Sequence, residues 1–183
     1  MSTDVLQTVG IPAGTWTVDP SHSEIAFTAR HLMSKVRGSF QKFEAQIVTG
    51  DEIKATASVD LNSIDTRDEG RDTHLRSKDF FDVENNGPMT FASTKVQPGG
   101  RGLLVTGDLH IGGVTKPITL DVEYFGQDTD PWGGTRIGFE GTTEISRKEF
   151  GVDFNVPMDG GRLLIGDKIS ITVAVQAVLQ QDA

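Results

Sequence analysis

The residue types able to do chemistry are few in this chain, and they are scattered. His22 follows Asp19 by three positions and has Ser23 beside it, so the side chains of a serine hydrolase lie within one short stretch. A working triad is defined by geometry, however, and neighbours in sequence are rarely oriented as one. Asp19-Pro20-Ser21 is also a strong turn initiator, with His22 placed to bond locally, and a turn is the expectation here. The remaining histidines, His31, His74 and His110, fall on separate segments without ligand spacing, so no metal site is expected. Gln127-Asp128-Thr129-Asp130 resembles a cation loop only in part and reads better as a polar hairpin tip. Cysteine is absent, which removes disulfides, thiolate metal sites and a thiol nucleophile together. There is no G-x-S-x-G elbow, H-E-x-x-H helix, P-loop or dinucleotide-binding glycine pattern, so no cofactor and no enzymatic activity are expected.

One segment concentrates charge. Between Asn62 and Phe81 the chain sets Arg67, Arg71, Arg76 and Lys78 among Asp68, Glu69, Asp72 and Asp79, with Asp82 just beyond. The near balance of signs favours an ion-pair network that ties the segment to the rest of the fold. The functional alternative gathers Arg71, His74 and Lys78 around an anionic or polar head group, where charge-assisted hydrogen bonds are strong.

The elements that must position these groups are strands. Val, Ile and Thr number 47 against 21 for Leu plus Ala, a ratio that favours sheet. Apolar residues alternate with polar ones at 24–30, 55–61, 118–124, 136–145 and 168–175, and less regularly at 36–48, 89–96 and 103–111. Gly, Pro, Asn and Asp bound each run, giving about eight antiparallel strands and a sandwich or closed barrel. The apolar parity slips between Phe40 and Phe43, which predicts an inserted residue and a bend. The charged segment breaks the β pattern. Thr66 or Asp68 suits a helix cap, and Gly70 predicts two short helical turns in preference to one helix.

Small residues recur on the apolar faces, namely Ala29, Gly38, Ala55, Ala57, Gly107 and Gly141. An eight-stranded barrel is just wide enough to be filled by side chains or to hold one ligand, and small inward residues suit the second case. Residue size alone leaves both open, because glycine and alanine also relieve crowding in a filled barrel. For a hollow barrel, Phe27, Phe40, Phe43, Phe91 and Phe139 are candidate walls, Ala29 and Ala57 candidate space-makers, and His31 a candidate at the end of the Phe27 strand.

The remaining exclusions come from size and charge. A chain of 183 residues suits one domain, expected over 15–183 after a flexible tail at 1–14. With 36% hydrophobic residues and 21 glycines it falls in the globular range. The net charge of −9 repels a phosphate backbone, so nucleic acid is not an expected partner. No stretch has the length and apolarity of a membrane span, and the first residues carry no basic and apolar leader, so a cytoplasmic location is expected. A homodimer is compatible with this composition.

Taken in order, the motifs resemble one family. They are W-T-V-D-P-S-H-S-E-I-A-F from Trp16, R-H-L-M-S-K-V-R-G-S-F from Arg30, S-I-D-T from Ser63 and R-D-T-H-L-R-S-K-D-F-F-D from Arg71. P-M-T-F-A-S-T from Pro88, G-D-L-H-I-G-G-V-T-K-P-I from Gly107 and R-K-E-F-G-V from Arg147 follow. This series resembles the YceI-like, or polyisoprenoid-binding, proteins from Trp16 to about Val178. The resemblance implies an all-β, extended antiparallel lipocalin-like barrel with a short helical crossover. It implies a binding or transport function for a polyisoprenoid or similar long-chain lipid. An enzyme acting on a lipid pyrophosphate or ester, with His22, Arg71 or His74 at the barrel mouth, is the alternative, and an interaction module with a solid barrel is a third.

Overall fold

The computed structural model describes residues 10–181. Within them run β1 (Gly14–Val18), β2 (Glu24–His31), β3 (Ser34–Phe40), β4 (Phe43–Thr49), β5 (Lys54–Val59) and β6 (Ile64–Asp65). A helix, α1 (Glu69–Arg76), precedes β7 (Met89–Gly99), β8 (Gly102–Ile111), β9 (Val114–Thr129), β10 (Thr135–Ser146) and β11 (Ile165–Leu179). Every ladder is antiparallel.

The first six strands are three strands, each interrupted once. β11 pairs with β2 over 165–174 and with β1 over 177–179. Next to them β3 pairs with β2 and β4 with β1; beyond these, β6 pairs with β3 and β5 with β4. Joined in this way they form, with β7 to β11, a closed ring of eight strands in which the β1–β11 ladder is the seam. All-β, lipocalin-like architecture with a helical crossover is therefore what the chain adopts.

Each interruption has a local cause. Asp19 caps a 3-10 turn at Pro20–His22, and Asp60 caps another at Leu61–Ser63, each aspartate accepting a backbone N–H two residues on. The third lies at Gln41-Lys42, where the parity slip between Phe40 and Phe43 called for an extra residue.

The helical segment differs from expectation in one respect. α1 is a single helix that contains Gly70, capped by the Asp68 side chain, which accepts the Arg71 N–H at 2.9 Å. Gly70 sits near the helix start, where its poor propensity costs less than in the interior. The tail also ends earlier than expected. Residues 1–9 lie outside the described residues, but Ile11 is buried and the Pro12 carbonyl accepts the Thr49 hydroxyl at 2.7 Å, so 11–14 belong to the body.

Buried side chains gather toward the two ends of the barrel. Trp16 and Ile137 are fully buried at the Leu179 end of β11, and Trp16 Nε1 donates to Thr49 Oγ1 at 3.0 Å. Toward the Ile165 end, Phe40 packs on Phe27 and Phe81, with ring centroids 5.7 and 6.3 Å away. Leu109, Ile111 and Phe150 add a second cluster there, which Phe81 also joins. Leu75, Phe81 and Val83 thus pack the crossover onto the core.

Candidate functional site

Between these two packed regions the barrel is hollow. An apolar space of about 200 Å³ is lined from every strand of the ring, and no charged side chain lines it. Gln46, Thr56 and Thr90 are the polar residues along it, and they alternate with the inward positions Ala45, Ala57 and Phe91 on their strands. Ile25, Ile47, Leu120, Phe139 and Val173 remain only half-buried although they face the axis, as side chains bordering free space must.

The small residues prove to be of two kinds. Ala55, Ala57 and Gly141 line the space directly, and Ala57 lies opposite Ala45, so two short side chains meet across one ladder. Gly38 and Gly107 are seats for aromatic rings. A Cβ on Gly107 would lie 2.5 Å from the Phe91 ring, and one on Gly38 would collide with the Phe27 ring. The Phe91 ring therefore lies against bare backbone at Gly107 and stays at the wall, leaving the lumen open.

Of the candidate lining residues, Phe43, Ala57, Phe91 and Phe139 border the cavity. Phe27 and Phe40 do not; they pack on one another near the crossover. Ala29, opposite Ile169 and Val36, and His31, opposite Ser34 and Ile165, lie farther along β2, outside the lining. The reason lies in the packing along β2. This strand reaches the hollow section at Ile25; at Phe27 and Phe40 the inward positions are taken up by ring-on-ring packing with Phe81 of the crossover, and Ala29 and His31 lie farther along the strand.

The crossover groups do not converge on a head-group site. Arg71 Nε and one terminal nitrogen donate to the Thr66 hydroxyl and carbonyl, both at 2.7 Å. Thr66 in turn donates from its N–H, at 2.9 Å, and from its hydroxyl to the buried Asp72 carboxylate. His74 Nε2 lies 2.7 Å from Asp79, and its ring meets Phe80 and Phe154 edge-on at 5.1 and 5.0 Å. Lys78 is exposed, with no ion pair among the described residues. Arg71, His74 and Lys78 thus face different partners, and none lines the cavity. Short-range bonds within the segment satisfy the first two before any ligand is considered.

The Asp19-His22 stretch is a turn and not a triad. Asp19 Oδ2 and Ser21 Oγ approach the same ring nitrogen, His22 Nδ1, at 2.9 and 3.1 Å, while the Ser23 hydroxyl of the supposed triad donates to the Gln176 carbonyl at 3.3 Å, so the relay through both ring nitrogens is not formed. Asp19 also accepts from Arg136 at 2.8 Å, and Arg136 Nε donates to Asp130 at 2.8 Å. The Arg136 guanidinium, then Ser21 and His22, hold the Asp19 carboxyl far below the usual carboxylate range.

Two residues take on roles that the sequence did not assign them, although Arg147 heads the R-K-E-F-G-V motif and Tyr124 ends the 118–124 alternation. Arg147, 5% exposed, donates to the carbonyls of Val152, Phe154, Ile165 and Gly166 and so ties down the loop between β10 and β11. Burial pushes its pKa down, with Asp167 and Asp153 opposing. Tyr124 stacks near Phe139 at 5.2 Å and buries a hydroxyl that has no partner among the described residues; burial pushes its pKa up. The motif marks Arg147 without saying that its side chain is buried, and alternation gives Tyr124 a face without saying that its hydroxyl lacks a partner.

Among the described residues, no helix is long and apolar enough to cross a membrane, and no cluster of side chains could hold a metal ion. Known proteins share this architecture and much of the sequence. A UPF0312 protein of Staphylococcus epidermidis is 38% identical over 165 residues, covering 86% of this chain and 94% of that one. Burkholderia cenocepacia BcnA superposes with a TM-score of 0.76 at 25% identity, over 87% of this chain and 98% of that one. A polyisoprenoid binding domain from Saccharophagus degradans shares the fold, with a TM-score of 0.68 at 15% identity, over 92% of this chain and all of its own. The YceI-like domain pattern matches residues 16–177, from the buried Trp16 at one side of the barrel seam to Ala177 at the other, and the chain belongs to that family.

Proposed function

We propose that this barrel binds the hydrocarbon chain of a polyisoprenoid or related long-chain lipid and sequesters or transports it without turnover. The observation that carries this reading is an apolar space inside the barrel with no charged lining and only three polar residues along it. Such a lumen recognises little except hydrocarbon. Each buried CH₂ contributes about 0.8 kcal/mol, so even a few carbons held inside add substantial affinity. A polar head group would stay in water, because the interior offers it no charge-assisted partner. The polyisoprenoid binding domain from Saccharophagus degradans, which shares the fold, agrees with this cargo class. Binding is favoured over lipid hydrolysis because His22, Arg71 and His74 are engaged in local structural bonds away from the lumen.

The test is a titration of delipidated protein with prenyl alcohols of increasing length. Affinity rises with each isoprene unit until the lumen is full and then levels off, while exchanging alcohol for phosphate changes it little. Affinity independent of chain length, or governed by the head group, would remove the reading. Release of hydrolysed product during the same titration would favour an enzyme.

A further inference from the structure

The outer face of the β2–β3 ladder, toward the Ile165 end of the barrel, carries charge of the wrong sign for this molecule, although Asp159 lies on the neighbouring 156–163 hairpin. Across a chain of net charge −9, no acidic residue occurs between Glu24 and Glu44, whereas Arg30, Lys35, Arg37 and Lys42 do. Lys35 lies directly opposite Arg30 in the β2–β3 ladder, and Arg37 is the next residue on the same outward face. Like charges placed directly opposite each other destabilise a ladder. Among the described residues, no carboxylate pairs with Arg30, Lys35, Arg37 or Arg162.

The tips beside these cations are apolar and exposed. The β2–β3 turn presents Leu32 and Met33, the latter 98% exposed, and the neighbouring 156–163 hairpin presents Val156 and Leu163. The two tips are fastened together. Leu32 N–H donates to the Leu164 carbonyl at 2.9 Å, Leu164 N–H to the Val156 carbonyl at 3.0 Å, and Arg30 to the carbonyls of Leu32 and Leu163. Leu32 has a φ of 54°, a region that disfavours bulky side chains, and yet it projects an apolar side chain at a solvent-facing turn.

We propose that this end of the barrel docks on a lipid bilayer with anionic head groups. Leu32 and Met33 enter the interface, with Val156 and Leu163 beside them, and Arg30, Lys35, Arg37 and Arg162 meet lipid phosphates. Four protruding apolar side chains are far fewer than the 20–30 residues, roughly 800 Å², that a stable protein partner covers on each side. Basic residues around a small apolar tip are sufficient for reversible attachment to an anionic membrane. The inference goes beyond the cargo reading and does not depend on what the lumen holds.

The test is co-sedimentation of the full chain with vesicles of phosphatidylcholine and phosphatidylglycerol in equal parts, and with phosphatidylcholine alone. Binding occurs to the mixed vesicles, weakens as salt rises, and is absent from the neutral ones. Lys35→Glu removes one positive charge and adds a negative one; at about fivefold per charge near the surface, vesicle affinity falls roughly 25-fold. The same substitution creates a Glu-Arg pair opposite Arg30, so thermal stability stays the same or rises, which a merely structural role for Lys35 would not give. Met33→Ser also weakens binding, whereas Trp132→Ala, on the β9–β10 turn at the other end, leaves it unchanged. No binding to mixed vesicles, equal binding to neutral ones, unchanged binding by Lys35→Glu, or loss with Trp132→Ala alone would each overturn the proposal. Prenyl alcohol uptake is read separately, so failure to dock and failure to take up lipid are distinguishable.

Discussion

Replacing Ala57 with phenylalanine places a phenyl ring in the lumen, on a band where Ala57 faces Ala45 on one side and Phe91 on the other. In a filled barrel the added ring has nowhere to go, and overpacking of this kind costs about 1–3 kcal/mol. Here the ring enters free space bordered by apolar side chains, so the delipidated variant keeps or gains stability. Lipid binding moves the other way. The ring displaces about one isoprene unit, some five carbons at about 0.8 kcal/mol each, which amounts to about 4 kcal/mol and roughly a thousandfold in affinity. That figure is an upper bound, because a chain able to slide along the lumen recovers part of it. The assays are urea denaturation of the delipidated protein and prenyl alcohol titration of the same sample. A loss of stability with unchanged lipid affinity would refute the reasoning, since it would describe a packed core at Ala57.

Other substitutions test the residues that shape the barrel. Arg147→Met strips four backbone carbonyls of their donor and should destabilise by about 3 kcal/mol, with proteolysis appearing first in the β10–β11 loop. Tyr124→Phe removes a buried hydroxyl without a protein partner, so the urea midpoint should rise by the equivalent of about 1 kcal/mol with an unchanged slope. Asp19 gives a signed pH dependence. Its folded carboxyl binds a proton more weakly than the unfolded one, so its contribution to stability is full above the ordinary carboxylate pKa of about 4 and fades as pH falls below it. Arg136→Ala removes the main cause of that shift; acid denaturation profiles of the two proteins should then differ most near neutral pH and converge in strong acid.

The fold was legible because its signals are local. Alternation at Ile118 to Tyr124 or Ile169 to Val175 marks one face of a strand, and the Phe40/Phe43 slip marks the break between β3 and β4. The hollow was legible only in part. Ala57 and Gly141 make room, but Gly107 looks the same in sequence and instead seats the Phe91 ring, a difference set by which neighbour lies across the ladder. Phe27 and Phe43 likewise share inward parity, and only the packing of Phe27 on Phe40, which in turn meets Phe81 of the crossover, takes the Phe27 ring out of the lining. Arg71 and His74 resembled head-group ligands because charge counts do not reveal that Thr66 and Asp79 already satisfy them. The cation-rich face around Lys35 needed the register, since Arg30 and Lys35 become neighbours only once β2 and β3 are paired.

Native mass spectrometry of the full chain, purified gently from its host and followed by extraction of whatever it carries, tests most directly whether the lumen is a lipid site. A barrel that holds one hydrocarbon chain gives a mass increment of a single long-chain lipid per protein, lost on delipidation and restored by an added polyisoprenoid. Protein that is empty as purified, and that acquires no increment from polyisoprenoids of any length, would contradict it.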